Sequence, residues 1–142
     1  MDNINFFSED IDFTLKTEDQ IIAWLKRIAE TENSSIEEIS YVFCSDDYLL
    51  KINQEYLDHD YYTDIITFDN RDNPKDPIES DIFISIDRVT ENASDQNVSF
   101  ELELKRVLAH GLLHLIGYND KTEEEQQLMR EKEEAYLSLQ IN

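Results

Sequence analysis

Apolar residues recur along this chain with two periods, and the switches between them mark out its elements. Ile21, Ile22, Trp24, Leu25 and Ile28 repeat at the spacing of one helix face. Thr17 and Gln20 just ahead have capping-box form, so the pattern predicts a helix over 18–31. The β-branched and aromatic run over 39–44 predicts a strand. Ser45 is placed to cap a helix over 46–57, with Tyr48, Leu49, Ile52 and Tyr56 facing inward. Residues 63–68 predict a second strand, and the polar stretch 70–77, which holds both prolines, a loop.

Ile82, Ile84 and Ile86 alternate with Phe83 and Ser85, the period of a third strand. A short helix is expected after Asp87. Ser99 is placed to cap a further helix that buries Leu104, Val107, Leu108 and Leu112. Thr122 opens a last, highly charged helix with Leu128, Met129, Tyr136 and Leu137 inside. Strands in the middle with helices on either side predict an α+β fold. The expectation is a small mixed sheet of about four strands packed with about five helices.

Composition narrows this picture. With 142 residues and a hydrophobic fraction of 40%, residues 1–142 are expected to form a single domain with one core. The 33 acidic and 12 basic residues give a net charge of −21. Broad, non-specific binding to nucleic acid needs a basic surface, so it is disfavoured. A local cationic groove or a bound metal can still admit an RNA substrate. Cys44 is the one cysteine, so no disulfide can form within the chain, which suits a reducing cytoplasm. The start, Met1-Asp2-Asn3, lacks the positive charge and apolar run of a signal peptide. The longest apolar stretch, 107–118, is too short to span a bilayer. A cytoplasmic protein without a membrane partner is expected.

The chemistry concentrates in His110-Gly111-Leu112-Leu113-His114-Leu115-Ile116-Gly117-Tyr118-Asn119-Asp120. Imidazoles at i and i+4 share one helix face and can converge on one ion. Gly117 can take the left-handed backbone that ends a helix, letting the chain return with Asp120 as third ligand. Three protein ligands and an open position describe a catalytic metal site. The spacing matches the ligand frame of the metzincin zinc peptidases. Their general base, a glutamate after the first histidine, is replaced here by Gly111. A metallopeptidase is therefore the weaker reading.

The run HGLLHLIGYND resembles the HGxLHLxGYDH motif of the YbeY family, bacterial metal-dependent endoribonucleases of rRNA maturation. Asn53-Gln54-Glu55-Tyr56 followed by Thr63-Asp64-Ile65-Ile66-Thr67-Phe68 resembles the family's N-x-x-Y-R and T-D-V-L-S-F block. Ser80-Asp81-Ile82-Phe83-Ile84-Ser85 resembles its G-D-I-x-I-S strand, and Met129 and Glu133 fall where its closing helix carries similar residues. The resemblance spans residues 39–137. It implies a compact α+β fold with one zinc ion per chain in a cleft. It further implies single-strand-specific endoribonuclease activity in 16S rRNA 3′-end maturation and ribosome quality control. The partners it implies are rRNA in the ribosome or pre-ribosomal small subunit, a small-subunit ribosomal protein and an assembly GTPase.

Two departures from the family pattern matter. The third ligand is usually histidine, and Asp120 stands there. A carboxylate ligates zinc and also suits manganese or another hard divalent ion. Leu57 stands where the family has an arginine thought to serve cleavage. By helical spacing Arg106 shares a face with His110 and His114 and is the candidate substitute, with His110 and His114 the other catalytic residues. The alternative for Arg106 is a solvated side chain paired with Glu103. Asp64 and Asp81 can each cap a backbone turn, orient a histidine or act as a base; structural roles are favoured, with Thr63 bonding locally beside them. Tyr118 is expected at the cleft rim, Asn119 cannot act as a base, and His59 reads as an exposed loop residue. The remaining rival is a non-catalytic ribosome-assembly factor with a structural metal.

Overall fold

The computed structural model describes residues 3–58 and 62–139. Its elements run β1 (Ile4–Ser8), α1 (Glu18–Thr31), β2 (Ile36–Cys44), α2 (Asp46–Leu57), β3 (Ile65–Asp69), β4 (Ile78–Ser85), α3 (Ile86–Gln96), α4 (Phe100–Ile116) and α5 (Glu123–Leu137). The strands form one mixed sheet in the order β1-β2-β4-β3. β1 and β2 run parallel, as do β2 and β4, whereas β3 is antiparallel to β4. This is the α+β architecture expected, with five helices around four strands.

Helix starts follow short polar side chains. Ser45 Oγ accepts from the Tyr48 amide, Ser85 Oγ from Arg88 and Ser99 Oγ from Leu102, each at 3.1 Å. Each bond satisfies an amide that the first helical turn leaves without a partner. At Thr17 the expectation fails, because its side chain makes no cap bond. Glu18 and Asp19 sit instead at the positive end of the α1 dipole. The capping box closes at Thr122 and Glu125, at the start of α5.

The main core lies between one sheet face and the helices α1, α3, α4 and α5. Leu25, Ile28, Leu108 and Leu112 are fully buried there. Each such side chain contributes about 1.5–3 kcal/mol by leaving water. A smaller cluster on the opposite face joins Leu49 and Ile52 of α2 to Cys44 and Ile66. Alternation along β3 and β4 therefore decides which side chains face α4. Ile65 and Ile82 do, and Ile66, Asp81 and Phe83 point the other way.

Three further expectations are corrected, and one strand is added. β1 was not placed by any sequence pattern. Ile86 is the first residue of α3 rather than the end of a strand. Tyr56 is 69% exposed and Leu128 45%, so neither faces the core. Buried Asn53 and Glu133 occupy the inner faces of α2 and α5 beside them.

Candidate metal centre

α4 lies close against the sheet because residue 111 has no side chain. A Cβ there would meet Ile65 Cδ1 at 2.9 Å and Ile82 Cδ1 at 3.3 Å. A side chain there must push both isoleucine ends aside, so packing as well as sequence disfavours the peptidase base. One turn along, His114 is exposed, while His110 is half-buried. Arg71, from the β3–β4 loop, donates to the Leu115 carbonyl at 2.8 Å and to Asp69 at 2.7 Å, holding the end of α4.

Gly117 ends the helix with φ +131°, as its position in the sequence predicts. The Gly117 amide bonds the His114 carbonyl at 3.1 Å and the Tyr118 amide bonds Leu113 at 3.0 Å. This Schellman closure reverses the chain. It returns Asp120 to the histidine face, where Gln126 of α5 holds the Asp120 carbonyl at 3.1 Å.

His110 is held at both ring nitrogens. Nδ1 lies 2.8 Å from Oε2 of Glu133, a buried carboxylate on α5, and Nε2 lies 3.3 Å from Oδ2 of Asp120. Burial alone would lower the pKa of the ring. The hydrogen bond to Glu133 and the charges of Glu133, Asp120 and Asp64 outweigh it and raise that pKa above the ordinary histidine value. Charged, the ring donates at both ends. Neutral, it keeps its hydrogen on Nδ1, because a carboxylate only accepts, and presents the Nε2 lone pair beside Asp120.

The donors fit a divalent ion. Two ligands on a tetrahedral ion with bonds of about 2.0–2.1 Å stand about 3.3–3.4 Å apart. The His110–Asp120 separation of 3.3 Å matches that spacing. Glu133 takes the place of the carboxylate that orients a ligating histidine from behind. His114 lines the same cavity as His110 and Asp120. It is not yet gathered with them: among the described residues no three His, Cys, Asp or Glu side chains form a metal-holding group.

Two cavities meet at this pair, sharing Asp64, Ile65, His110 and Asp120. One, of about 320 Å³, is bounded by Leu57, Thr67 and His114. The other, of about 400 Å³, runs between α3, α4 and α5 past Arg106. Asp64 is half-buried where they join. Burial raises its pKa, with Glu133 adding to the rise and His110 opposing it. The Asp64 carbonyl also accepts from the Ser85 amide at 2.9 Å.

The other residues singled out by sequence lie at various distances from this group. Asp81 is on the far face of the sheet and accepts from Asn70 at 3.1 Å, so it is not brought to the histidines. Thr63 makes a local contact to the Ile65 carbonyl at 3.4 Å. Tyr118 packs behind the ligand turn, with its hydroxyl on Glu32. Arg106 is mostly buried rather than solvated, 3.3 Å from Glu103 and 3.5 Å from Glu134. It lines a different cavity from Leu57 and so does not occupy the place of the family arginine. His59 lies outside the described residues. Glu133 was noted only as a family match and its role was missed. The available signal was a charged residue at helical spacing between Met129 and Tyr136.

The model of the family described as endoribonuclease YbeY matches residues 3–140. The chain belongs to the YbeY family. Among its relatives, the endoribonuclease YbeY of Cytophaga hutchinsonii is 57% identical, over 97% of this chain and 96% of the relative. That of Christiangramia forsetii is 54% identical over 96% and 93%. A Thermotoga maritima protein solved in solution is 27% identical, covers 94% of this chain and 86% of its own, and superposes with a TM-score of 0.66. The YbeY match begins at residue 3 and so takes in β1, which lay ahead of the motifs that carried the resemblance.

Proposed function

We propose that this YbeY-family chain is an endoribonuclease that hydrolyses single-stranded RNA at the group formed by His110, His114 and Asp120. The observation that carries this reading is the His110–Asp120 pair at metal-ligand spacing, with buried Glu133 behind it. Family membership supplies RNA cleavage as the reaction. In this reading the substrate is rRNA of the small ribosomal subunit, cut during 16S 3′-end maturation and quality control in the cytoplasm. A small-subunit ribosomal protein and an assembly GTPase are its companions there. No helix among the described residues is long and apolar enough to cross a membrane.

His110, His114 and Asp120 would hold one divalent ion, zinc or the harder manganese. When bound, the ion supplies a water of lowered pKa and polarises a phosphoryl oxygen. The chain's own part is positional. Glu133 fixes the His110 ring and its hydrogen, and the Gly117 turn sets Asp120. Asp64, with its raised pKa, stands within the cleft as an acceptor for a proton from an attacking water.

The test is elemental analysis of wild type and Asp120→Ala, purified without chelator or a metal column, alongside cleavage of a model single-stranded RNA. Near-stoichiometric metal and cleavage in wild type, both sharply reduced in the variant, are expected. Equal metal in the two proteins removes Asp120 as a ligand. Metal retained with no RNA cut in any preparation favours a non-catalytic assembly factor, a reading that Leu57 in the smaller cavity supports.

A further inference from the structure

We infer that the cavity between α3, α4 and α5 is a nucleotide subsite, taking one nucleotide of the bound strand beside the metal centre. The inference rests on the RNA-cleaving reading above. Its volume of about 400 Å³ lies in the range of about 300–1,000 Å³ typical of ligand pockets. Because it shares His110 and Asp120 with the smaller cavity, a strand cut at that pair has a neighbour on each side.

The cations lie on one side, set among the carboxylates Asp64, Glu103, Asp120 and Glu133 that also line the larger cavity. Arg106 and Arg130 both line the larger cavity, and no Lys or Arg lines the smaller one. Arg106 is only 11% exposed, yet its Nε and Nη1 are buried without a hydrogen-bond partner. So is Oε1 of Glu103, whose 3.3 Å contact with Nε is not aligned as a hydrogen bond. Buried donors left open in a native fold call for a bound water, ion or ligand. Arg106 lines the cavity, and a guanidinium whose buried donors become uncovered as a strand enters suits a phosphate oxygen. Arg130 is exposed at the rim and can follow the next phosphate.

The remaining walls suit a base. Asn92 and Gln96 stand one turn apart on α3 and both line the cavity, so their amides are within reach of it. Such amides pair with the edges of unstacked bases, which is how single strands are read. Buried Val107 and Met129 stand behind these amides and make that part of the wall apolar.

The experiment measures binding of a fluorescein-labelled, 2′-O-methylated single-stranded octanucleotide to metal-loaded protein across a salt series. It adds kcat and KM on the unmodified RNA. The variants Arg130→Gln, Asn92→Ala and Gln96→Ala change helix-surface or half-exposed positions and leave the ligands in place. Arg130→Gln is expected to weaken binding about fivefold and to lower the slope of log K against log salt by about 0.7. Asn92→Ala and Gln96→Ala are expected to weaken binding by about fivefold with the slope unchanged, each raising KM more than it lowers kcat. A wild type that binds and cuts while all three variants match it in affinity and slope overturns the subsite and leaves the nuclease reading standing. A wild type that neither binds nor cuts RNA overturns both.

Discussion

Tyr118 donates its hydroxyl hydrogen to Glu32 across 2.7 Å, joining the turn that carries Asp120 to the end of α1. The Tyr136 hydroxyl donates to the same carboxylate, and Lys132 Nζ lies 3.2 Å from it. Lys132 also sits 5.5 Å above the Tyr118 ring. Burial opposes the charge on Glu32, but these donors together outweigh it and hold its pKa below the ordinary glutamate value of 4.5. A carboxyl with a depressed folded pKa stabilises the fold above its unfolded pKa, and loses that contribution as pH falls through the folded one. Glu32→Gln is therefore expected to be less stable than wild type at neutral pH. The gap should close as pH drops below about 4.5. Urea denaturation at neutral pH and near pH 3 checks it, and a gap independent of pH would show that the Glu32 charge contributes nothing.

Glu133 fixes which nitrogen of His110 is free for an ion. Loss of such an orienting carboxylate typically weakens metal binding by about 10–100-fold. Glu133→Ala is expected to fall in that range, and Glu133→Gln, which keeps volume and an acceptor, to lose less. Competition with a chelating dye measures both. Wild-type affinity in Glu133→Ala would mean that the 2.8 Å contact does not orient the ring.

Gly111 offers a test of how closely α4 approaches the sheet. In Gly111→Ala the added methyl presses on two isoleucine ends, a cost of about 1–3 kcal/mol. It also gains about 1 kcal/mol of helix propensity. The net expectation is a small loss, at most about 2 kcal/mol. Gly111→Glu buries a carboxylate between helix and sheet and is expected to lose about 3 kcal/mol or more. Equilibrium unfolding decides the matter, and a Gly111→Glu protein as stable as wild type would rule out the close approach.

Leu57 is 41% exposed at the end of α2 and bounds the smaller cavity opposite His114. If the proposed function holds, Leu57→Arg adds a guanidinium at the cavity beside His110 and His114, within reach of a bound strand's phosphate. A cation also suits the negative end of the α2 dipole. The expected result is a rise in kcat/KM on single-stranded RNA of about tenfold, about 1.4 kcal/mol of transition-state stabilisation, with stability unchanged. Steady-state cleavage assays would show it, and an unchanged kcat/KM would mean that this side of the cleft makes no phosphate contact.

Most of the helices were legible because their signals are local. The periodicity of 18–31, the serines at 45 and 99 and the glycine at 117 each act within a turn or two of themselves. β1 was not legible, since five residues with one fully buried side chain carry little alternation. Tyr56 and Leu128 were misplaced because an apolar residue near a helix stripe looks internal until its neighbours are known. At the centre, His110 and His114 were found by spacing alone. Their surroundings depend on contacts distant in sequence: Glu133 is 23 residues from His110, and Glu32 is 86 from Tyr118. No period in the chain encodes such pairs.

β4 is the last of the four strands in the chain, yet it lies between β2 and β3. While the chain is being made, β3 emerges with no strand to receive it. Among the described residues its one neighbour in the sheet is β4, on the far side of the 70–77 loop. The residues that open β3, Asp64 and Ile65, thus wait for synthesis to reach residues 78–85 before they have a fixed place. Until then β2 has one bare edge and β3 has both, the kind of surface on which unfinished chains stick to one another. The strand that fixes Asp64 and Ile65 in place thus also covers the open edge of β2 and the inner edge of β3.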